Sequence, residues 1–296
     1  FIPAGLEAGT LDGMIFAFPY ETNTGNENIY YYNKDLLAEK GISEPTDEWT
    51  FDEFVEKCVA ATDVDKRIFG TNQYIGTYYD LATFARSLGG DIFDAERKNF
   101  TLMSDPAAHE AAKWATELRT VHHCAPMLDE SEDLTFQAGQ LAFNAWGTYG
   151  VISMETMVED KFEWDIVLAP VGPDGLRGYE IFVTQYMIYS GTEHPEKAYD
   201  LLCYLHSKET SMYAFVNQGQ SPARVSTMNS PEAAEMHSIW KRVGDWMADG
   251  VNRGPFPMPY NLRFAELHDV YNNNSQAMWY GDTPFEEAAQ ILDEEC

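Results

Sequence analysis

The segment from Leu11 to Leu37 constrains the fold more strongly than any other part of this chain. A turn signal at Asp12-Gly13 precedes the apolar run Met14 to Phe18. The polar stretch Glu21 to Asn28 follows, and it leads into the aromatic run Ile29 to Tyr32. Runs of this kind, bounded by turn and polar residues, are typical of β-strands. The segment therefore predicts two strands joined by a polar crossover, as in a hinge between two lobes.

Length and charge limit the classes of protein that this chain can form. At 296 residues and 45% hydrophobic content, it is long enough to bury a sizeable core and to form two domains. Its 19 Lys and Arg residues face 48 Asp and Glu residues, which gives a formal net charge of -29. Nucleic acids and anionic lipids are recognised by basic surfaces, and the sequence contains no basic cluster. We therefore expect a neutral or cationic ligand rather than a nucleic acid or a polyanion.

Membrane and targeting signals are not evident in the sequence. No run of about 18 apolar residues occurs, so we expect no membrane-spanning helix in this chain. The first residues, FIPAGLEAGTLDG, are interpreted as the interior of a domain rather than as a signal segment.

The four cysteines, Cys58, Cys124, Cys203 and Cys296, show no spacing typical of a metal site. We therefore predict no bound metal and no cofactor. Cys58 and Cys203 fall on apolar faces of predicted helices, which favours buried free thiols.

Helix start signals alternate with short apolar runs along the chain. Four start signals precede apolar residues at helical spacing: Thr50 with Glu53, Asp105-Pro106, His194-Pro195 and Ser230-Pro231. Three short apolar runs are predicted strands: Leu141 to Ala145, Asp165 to Ala169 and Phe182 to Tyr189. This alternation predicts an α/β fold with a mainly parallel sheet covered by helices on both faces.

The hinge segment closely resembles the DGKxYGxPYxTNTxxLYYNKDLL segment of the extracellular (family 1) solute-binding proteins of carbohydrate ABC importers, the family that includes maltose-binding protein. Here the segment has a three-residue insertion, Asn26-Glu27-Asn28, and has Phe18 in place of a smaller aliphatic residue. Four further segments are similar to the family's and follow its order: ARSLGGDIFD at 85–94, FQAGQLAFNAWGTYG at 136–150, GQSPARVS at 219–226 and TPFEEAAQ at 283–290.

The resemblance implies an α/β, two-lobed, periplasmic-binding-protein-like (type II) fold with hinge crossovers. In that family the first strands of the first lobe precede the point that corresponds to Phe1, so we expect the first lobe to be incomplete. The expected divisions are a remnant of the N-terminal lobe with the first hinge at 1–27, the C-terminal lobe at 28–178, the second hinge and return to the N-terminal lobe at 179–237, and helices of the C-terminal lobe at 238–296.

The resemblance also implies the function of an extracellular substrate-binding component of an ABC importer. Such a protein captures a sugar or oligosaccharide in an interlobe cleft by hinge closure. The implied partners are that small molecule and the permease subunits. The implied localisation is extracellular, as a membrane-anchored lipoprotein, or periplasmic, and we expect a monomer without catalytic activity.

Aromatic residues beside loops are candidate platforms for a sugar ring. Trp146 and Tyr149 follow a predicted strand beside Gly147, where a loop can present a ring to a cleft. In the resembling family, a sugar-stacking Trp occupies the position of Tyr149. Tyr78 and Tyr79 begin a predicted helix, where contact with ligand and packing on the lobe are equally open.

Polar residues at the crossovers are candidate partners for ligand hydroxyl groups. Glu21 and Asn23 lie in the first crossover, where the resemblance implies a ligand-facing polar residue and a solvated hinge is the alternative. Arg224 suits either a bidentate contact across the lobes or a structural ion pair. The resemblance alone adds candidates from the second crossover and a late loop: Glu180, Phe182, Gln185, and Phe264 within the loop Asn261 to Phe264.

Two alternative functions remain open from the sequence. The same fold could bind a non-sugar solute such as a polyamine or glycerol phosphate, and a cationic ligand would require several carboxylates with an aromatic box. A glycan-active enzyme would need two facing carboxylates. No nucleophile elbow, zinc-protease motif or phosphate loop supports catalysis.

Overall fold

A computed structural model of the chain describes residues 1–25, 27–73, 75–236, 238–248, 253–257 and 263–296. These residues form α-helices with the bounds α1 Pro3–Glu7, α2 Lys34–Glu39, α3 Phe51–Ala61, α4 Tyr78–Ser87, α5 Pro106–Thr120, α6 Val151–Val158, α7 Pro195–Leu205, α8 Lys208–Gln218, α9 Val225–Met228, α10 Pro231–Met236, α11 Ser238–Ala248, α12 Phe264–Trp279 and α13 Phe285–Glu295. The strands are β1 Thr10–Leu11, β2 Met14–Ile15, β3 Phe18–Thr24, β4 Ile29–Asn33, β5 Phe69–Thr71, β6 Leu141–Ala145, β7 Trp164–Leu168, β8 Gly178–Tyr186 and β9 Arg253–Pro257.

The strands form three sheets, with the orders β1-β2, β3-β8-β9 and β5-β6-β4-β7. The predicted strands at 141–145, 165–169 and 182–189 correspond to β6, β7 and the second half of β8. The prediction of a mainly parallel sheet is wrong, because β4 runs antiparallel to both β6 and β7, and β3 runs antiparallel to β8. Parallel pairing follows from helical strand-helix-strand connections, whereas β4 enters its sheet directly from the crossover after β3.

The crossover between β3 and β4 joins two different sheets. It is shorter than the predicted segment Glu21 to Asn28, because Glu21 to Thr24 pair with β8 as part of β3. The predicted strand Met14 to Phe18 is also not continuous, since Met14–Ile15 is β2 and Phe18 begins β3. The backbone N–H of Gly25 donates to the carbonyl oxygen of Glu180 at 3.1 Å. The side-chain amide of Asn28 donates to the same oxygen at 2.7 Å. Because Glu180 lies in β8, the first crossover is hydrogen-bonded to the strand that carries the second one.

Local capping fixes where the helices around the crossovers begin. The predicted capping box is confirmed, since Thr50 and Glu53 bond reciprocally at the start of α3. A second capping box, between Thr77 and Asp80, begins α4. Each box satisfies backbone N–H groups that a helix start leaves without intrahelical partners.

The buried side chains of the described residues group into three hydrophobic cores. One core joins α4, α5, α12 and α13, and another packs α2 and α3 against one face of the β5-β6-β4-β7 sheet. The remaining core covers the other face of that sheet, where Val151 and Ile166 pack together with Ala4, Phe215 and Ala233. The last three residues belong to the segments expected in the N-terminal lobe, so no break between cores marks the expected boundary at residue 237.

Two predictions about the cysteines have different outcomes. Cys58 is a buried free thiol, as predicted. The prediction for Cys203 is wrong, because Cys203 is exposed. It lies on α7, where Leu201 is 57% exposed and Tyr204 is 61% exposed. The helix has the amphipathic pattern of a packed helix, but among the described residues nothing covers this face.

Within the described ranges, no helix combines the length and the apolar character that a membrane crossing requires.

Candidate functional site

The paired strands β3 and β8 form one wall of the candidate site. Asn23 lies directly opposite Phe182 in this antiparallel pair, and Glu21 lies opposite Thr184. Side chains of directly opposed residues share one face of a sheet. The hydroxyl of Thr184 donates to Glu21 Oε2 at 3.4 Å. The two crossover positions predicted from the sequence therefore share a face with Phe182.

Gln185 lies on the opposite face of this wall, because side chains alternate along a strand. Its Nε2 atom donates to the carbonyl oxygen of Gly5 in α1 at 3.4 Å. The structure therefore separates Gln185 from Phe182, although the sequence analysis placed both in one group.

A buried pair of carboxyl groups, Glu27 and Asp80, lies beside this wall. Glu27 belongs to the crossover, and Asp80 belongs to the capping box of α4, where its Oδ2 accepts the Thr77 N–H at 3.0 Å. Burial raises the pKa of Glu27 well above its usual range, and the neighbouring negative charge and hydrogen bond of Asp80 raise it further. Burial also raises the pKa of Asp80, but the hydrogen bonds from Glu27 and Thr77 oppose that rise. The two carboxyl groups are therefore electrostatically coupled, and the helix N-terminus favours negative charge on Asp80.

Glu180 adds a third buried carboxyl group next to this pair. Burial raises its pKa well above the ordinary value, while the nearby Arg86 charge and a hydrogen bond with Thr83 act in the opposite direction. The charge of Asp80 also contributes to the rise. Glu180, Asp80 and Glu27 thus form one electrostatically connected group at the meeting point of the two crossovers and α4.

Aromatic rings flank the carboxyl groups on the side of α4 and α12. The Tyr79 ring contacts Phe182 edge to face, with centroids 5.5 Å apart. Tyr79 also stacks on His268 at 6.0 Å and 5°, and Phe264 stacks on His268 at 6.0 Å and 8°. Burial, and then the negative charges of Asp80, Glu180 and Glu27, raise the pKa of Tyr79. These rings therefore lie close to the carboxyl groups. Residues 261 and 262 of the predicted loop lie outside the described residues.

Trp146 and Tyr149 approach the same carboxyl pair from the end of β6. Their rings are perpendicular, with centroids 5.8 Å apart, and Tyr149 is 37% exposed. The pKa of Tyr149 is raised mainly by burial of part of the side chain, with added contributions from the charges of Glu27 and Asp80. Gly147 makes this approach possible, because a Cβ atom there would lie 2.6 Å from the carbonyl oxygen of Thr24 and 2.5 Å from the Tyr149 ring.

Two further predicted residues lie in other surroundings. Tyr78 is fully buried in the core between α4 and α12, in ring contact with Phe93 and Tyr271. Arg224 donates through Nε to the carbonyl oxygen of His206 at 2.7 Å, and its guanidinium lies 4.7 Å from the ring centroid of Phe1. Of the two roles that the sequence left open for Tyr78, the structure shows the packing role. Arg224 contacts a backbone carbonyl and an aromatic ring beside α7, which is neither the bidentate contact nor the ion pair considered from the sequence.

The structure therefore brings together Tyr79, Trp146, Tyr149, Glu180 and Phe182 around the Glu27–Asp80 pair. Asn23 lies opposite Phe182 on the β3 wall, and Glu21 lies two residues further along the same face. Sequence analysis missed Glu27, Asp80 and His268 as members of this group. The signal for Asp80 was the spacing Thr77 to Asp80, which is that of a capping box and marks a helix N-terminus near the crossover. No cluster of three or more potential metal ligands occurs among the residues that the structure describes.

Comparison with known proteins identifies the family. The chain matches the bacterial extracellular solute-binding proteins over residues 4–212. A Brucella abortus protein described as a binding protein is 23% identical over 298 residues, and the match covers 95% of this chain and 67% of that protein.

Solved structures share the fold at low identity. The ABC substrate-binding protein of Listeria monocytogenes in complex with cycloalternan matches with a TM-score of 0.85 at 19% identity, over 99% of this chain and 73% of that one. Maltose-bound MalE3 of T. maritima matches with a TM-score of 0.78 at 24% identity, over 100% of this chain and 75% of that one. A solute-binding protein of Agrobacterium vitis with bound D-mannitol matches with a TM-score of 0.75 at 19% identity, over 98% of this chain and 73% of that one.

These matches confirm the predicted two-lobed, periplasmic-binding-protein-like α/β fold. The family is one of solute-binding proteins and not of enzymes. Because the match covers most of its residues, the chain belongs to the family of bacterial extracellular solute-binding proteins.

Proposed function

We propose that this chain is the substrate-binding component of an ABC importer and that it captures a sugar or oligosaccharide between its lobes. The observation that carries the proposal is the convergence of Tyr149, Tyr79 and Phe182 on the buried carboxyl pair Glu27 and Asp80. Sugars present C–H faces that pack on rings and hydroxyl groups that donate to carboxylates and amides. The site offers both kinds of partner.

Each residue has a distinct role in this proposal. Tyr149 is the stacking platform, because its side chain is more exposed than that of Trp146 at the end of β6. The Trp146 ring contacts the Tyr149 ring edge to face. From the β3 wall, Glu21 accepts hydrogen bonds from ligand hydroxyl groups. Asn23 can both accept hydrogen bonds from such groups and donate to them. Asn23 is 8% exposed, and its Oδ1 atom has no hydrogen-bond partner among the described residues.

The positions of these residues support closure of the two lobes about the crossovers. Tyr149 follows a strand of the β5-β6-β4-β7 sheet, whereas Glu21 and Phe182 lie in the β3-β8-β9 sheet. A ligand that contacts both sides favours the conformation that brings them together. The proposed lobes are the ones expected from the sequence, with one revision. We propose the last crossover near Pro222 rather than at residue 237, and the isolated bridge between Pro222 and Glu21 supports that position.

A cationic solute is the second candidate, and the three carboxyl groups beside an aromatic cluster favour it. We nevertheless favour a sugar, because Glu27, Asp80 and Glu180 are each less than 10% exposed and burial raises the pKa of each, which disfavours the charged form. A buried carboxyl group whose charged form is disfavoured attracts an amine only weakly. It still presents hydrogen-bonding atoms to a neutral hydroxylated ligand.

The partners and surroundings of the protein belong to the same proposal. The permease subunits would receive the ligand, and the protein would act as a monomer, either lipid-anchored or in a periplasm. The family's extracellular placement supports this arrangement.

Thermal-shift measurements on the intact protein test the proposal directly. A panel of mono- and oligosaccharides is compared with spermidine and glycerol 3-phosphate, and each hit is followed by calorimetry. A ligand at about 100 times its Kd stabilises the native state by about 2.7 kcal/mol. Saturable stabilisation by a saccharide is expected. Stabilisation by spermidine alone would instead select the cationic alternative.

A further inference from the structure

Two buried cysteines, Cys58 and Cys124, lie outside the site and are not needed for the proposed function. Both have no exposed surface, and both belong to the core that packs α2 and α3 on the sheet. Both thiols are free. Cys124 Sγ also lies 3.5 Å from the carbonyl oxygen of Leu118.

The short strand β5 holds the two cysteine backbones close together. At Gly70 of β5, a Cβ atom would lie 2.4 Å from the Cα atom of Cys58, so α3 packs directly on the strand at this point. The next residue, Thr71, donates its backbone N–H to the carbonyl oxygen of Cys124 at 3.1 Å. Consecutive residues of one strand therefore contact the two cysteines. A disulfide requires Cα atoms roughly 4.4 to 6.8 Å apart, and the packing of both cysteines on neighbouring residues of one strand favours such an approach.

We propose that Cys58 and Cys124 are a redox pair that closes into an intrachain disulfide when the chain folds in an oxidising compartment. The family is extracellular, and disulfides form and persist in such compartments. The other two cysteines have no comparable arrangement, since Cys203 is exposed on α7 and Cys296 follows α13.

The reaction is thiol–disulfide exchange with a small-molecule or protein disulfide as the oxidant. The thiolate of one cysteine attacks the oxidant, forms a mixed disulfide and releases one thiolate. The thiolate of the second cysteine then attacks the mixed disulfide, forms the Cys58–Cys124 bond and releases the other thiolate. The two protons lost by the cysteines end on the two released thiolates, and the oxidant takes up two electrons.

The exchange belongs to folding rather than to the folded protein. Burial raises the pKa of the Cys58 thiol well above its ordinary value, and the neighbouring Cys124 raises it further. A neutral, buried thiol is a poor nucleophile. In the unfolded chain both thiols are accessible, and approach of α3 and the end of α5 to β5 brings them together.

The bond would constrain a long segment that carries part of the site. The chain between Cys58 and Cys124 includes β5, α4 and α5, and therefore Tyr79 and Asp80. Closing a loop of this length removes entropy mainly from the unfolded state. The disulfide would thus fasten α4 to its lobe without altering the packing around it.

Oxidative refolding of the full chain tests the proposal. The protein is unfolded and reduced, then refolded in a mixture of oxidised and reduced glutathione, with reduced glutathione alone as the reference. We expect the number of thiols titrated in denaturant to fall from four to two, and a peptide pair linked through Cys58 and Cys124 to appear in the non-reduced digest. We also expect the melting temperature of the oxidised protein to exceed that of the reduced protein by about 5 to 10 °C.

Single serine variants provide the matched controls. Cys203→Ser should keep the linked peptide pair and the increase in melting temperature, because Cys203 is exposed on another helix. Cys58→Ser should lose both, and Cys124→Ser should match it if the pairing is correct. Should either buried variant fail to refold, mapping of the unmodified chain still decides the question. Four free thiols in the oxidatively refolded protein, or a linked pair that contains Cys203 or Cys296, would overturn the proposal.

Discussion

The sheet around β4 and the helix α7 both have apolar sequence patterns, but the two regions differ in how much of their apolar surface is buried. Every residue of β4 is buried, and the sheet is covered by a core on each face. In α7, Leu202 is the only buried residue of the helix, although its apolar residues recur at helical spacing. A hydrophobic pattern therefore predicts which face of an element can pack, but burial also requires a partner element.

Several exposed apolar side chains lie on α7, in β1 and β2, and in the segment after β8. They include Leu11, Met14, Phe16, Met187, Tyr189, Tyr199, Leu201 and Tyr204. The chain spans about three quarters of each of the solved structures that it matches here. We expect this region to be the less stable of the two regions, and the following measurements test that contrast.

The largest expected effect is on hydrogen exchange. Backbone amides of β4 and β6 should exchange at least about a thousandfold more slowly than those of α7 and β1, because they open only in global unfolding, whereas α7 has few contacts to lose. Exchange monitored by mass spectrometry on the intact chain measures both regions at once. Equal protection in the two regions would contradict the contrast.

Two matched leucine substitutions test the same difference between the buried region and α7 through the free energy of unfolding. Leu37→Ala in α2 removes a side chain with no exposed surface and should lower the free energy of unfolding by about 2 to 5 kcal/mol. Leu201→Ala in α7 removes a side chain that is 57% exposed and should change it by less than about 0.5 kcal/mol. Denaturant unfolding measures both. A large cost for Leu201→Ala would show that α7 packs against something in solution.

These differences also explain what sequence reasoning could and could not predict. The capping box at Thr50 and the strand β6 depend on neighbouring residues, and both were predicted correctly. The polar segment Glu21 to Asn28 was predicted as a crossover, but its first half, Glu21 to Thr24, pairs with β8 as part of β3. The strand directions and the exposure of Cys203 depend on elements distant in sequence, and both predictions were wrong. The Glu27–Asp80 pair joins a loop to a helix more than fifty residues away, and no local pattern indicates that contact.

At the site, the comparison is between two partly exposed tyrosines. Tyr149→Ala should weaken saccharide binding by about 1 to 3 kcal/mol, because the ring is proposed to anchor the ligand. Tyr204→Ala, which removes a ring 61% exposed on α7, should leave the affinity unchanged and serves as the control. Calorimetry measures the affinity, and circular dichroism checks that each variant is folded. An unchanged affinity in folded Tyr149→Ala would remove Tyr149 from the site.

The smallest expected effect concerns Glu27, which lies in the crossover between the two regions. A carboxyl group whose pKa is raised by folding favours the native state below the pKa of the unfolded chain, and that contribution is lost as the pH rises through the raised value. The pKa of Glu27 is raised mainly by burial and by Asp80, so its deprotonation destabilises the native state at high pH. Glu27→Gln keeps a polar side chain of nearly the same size beside Asp80 but cannot ionise. It should therefore raise the stability by on the order of 1 kcal/mol above the pKa of Glu27, with little gain near pH 4.

Thermal unfolding of the two proteins from pH 4 to pH 9 measures this difference. Glu287→Gln, in the first turn of α13 and exposed, is the matched control and should show no comparable gain at high pH. The gain for Glu27→Gln must also grow with pH, because it reflects the cost of ionising a buried acid. A gain of the same size at pH 4 and pH 9 would indicate a packing effect, and a loss of stability at high pH would show that the ionised form of Glu27 is the one that the fold requires.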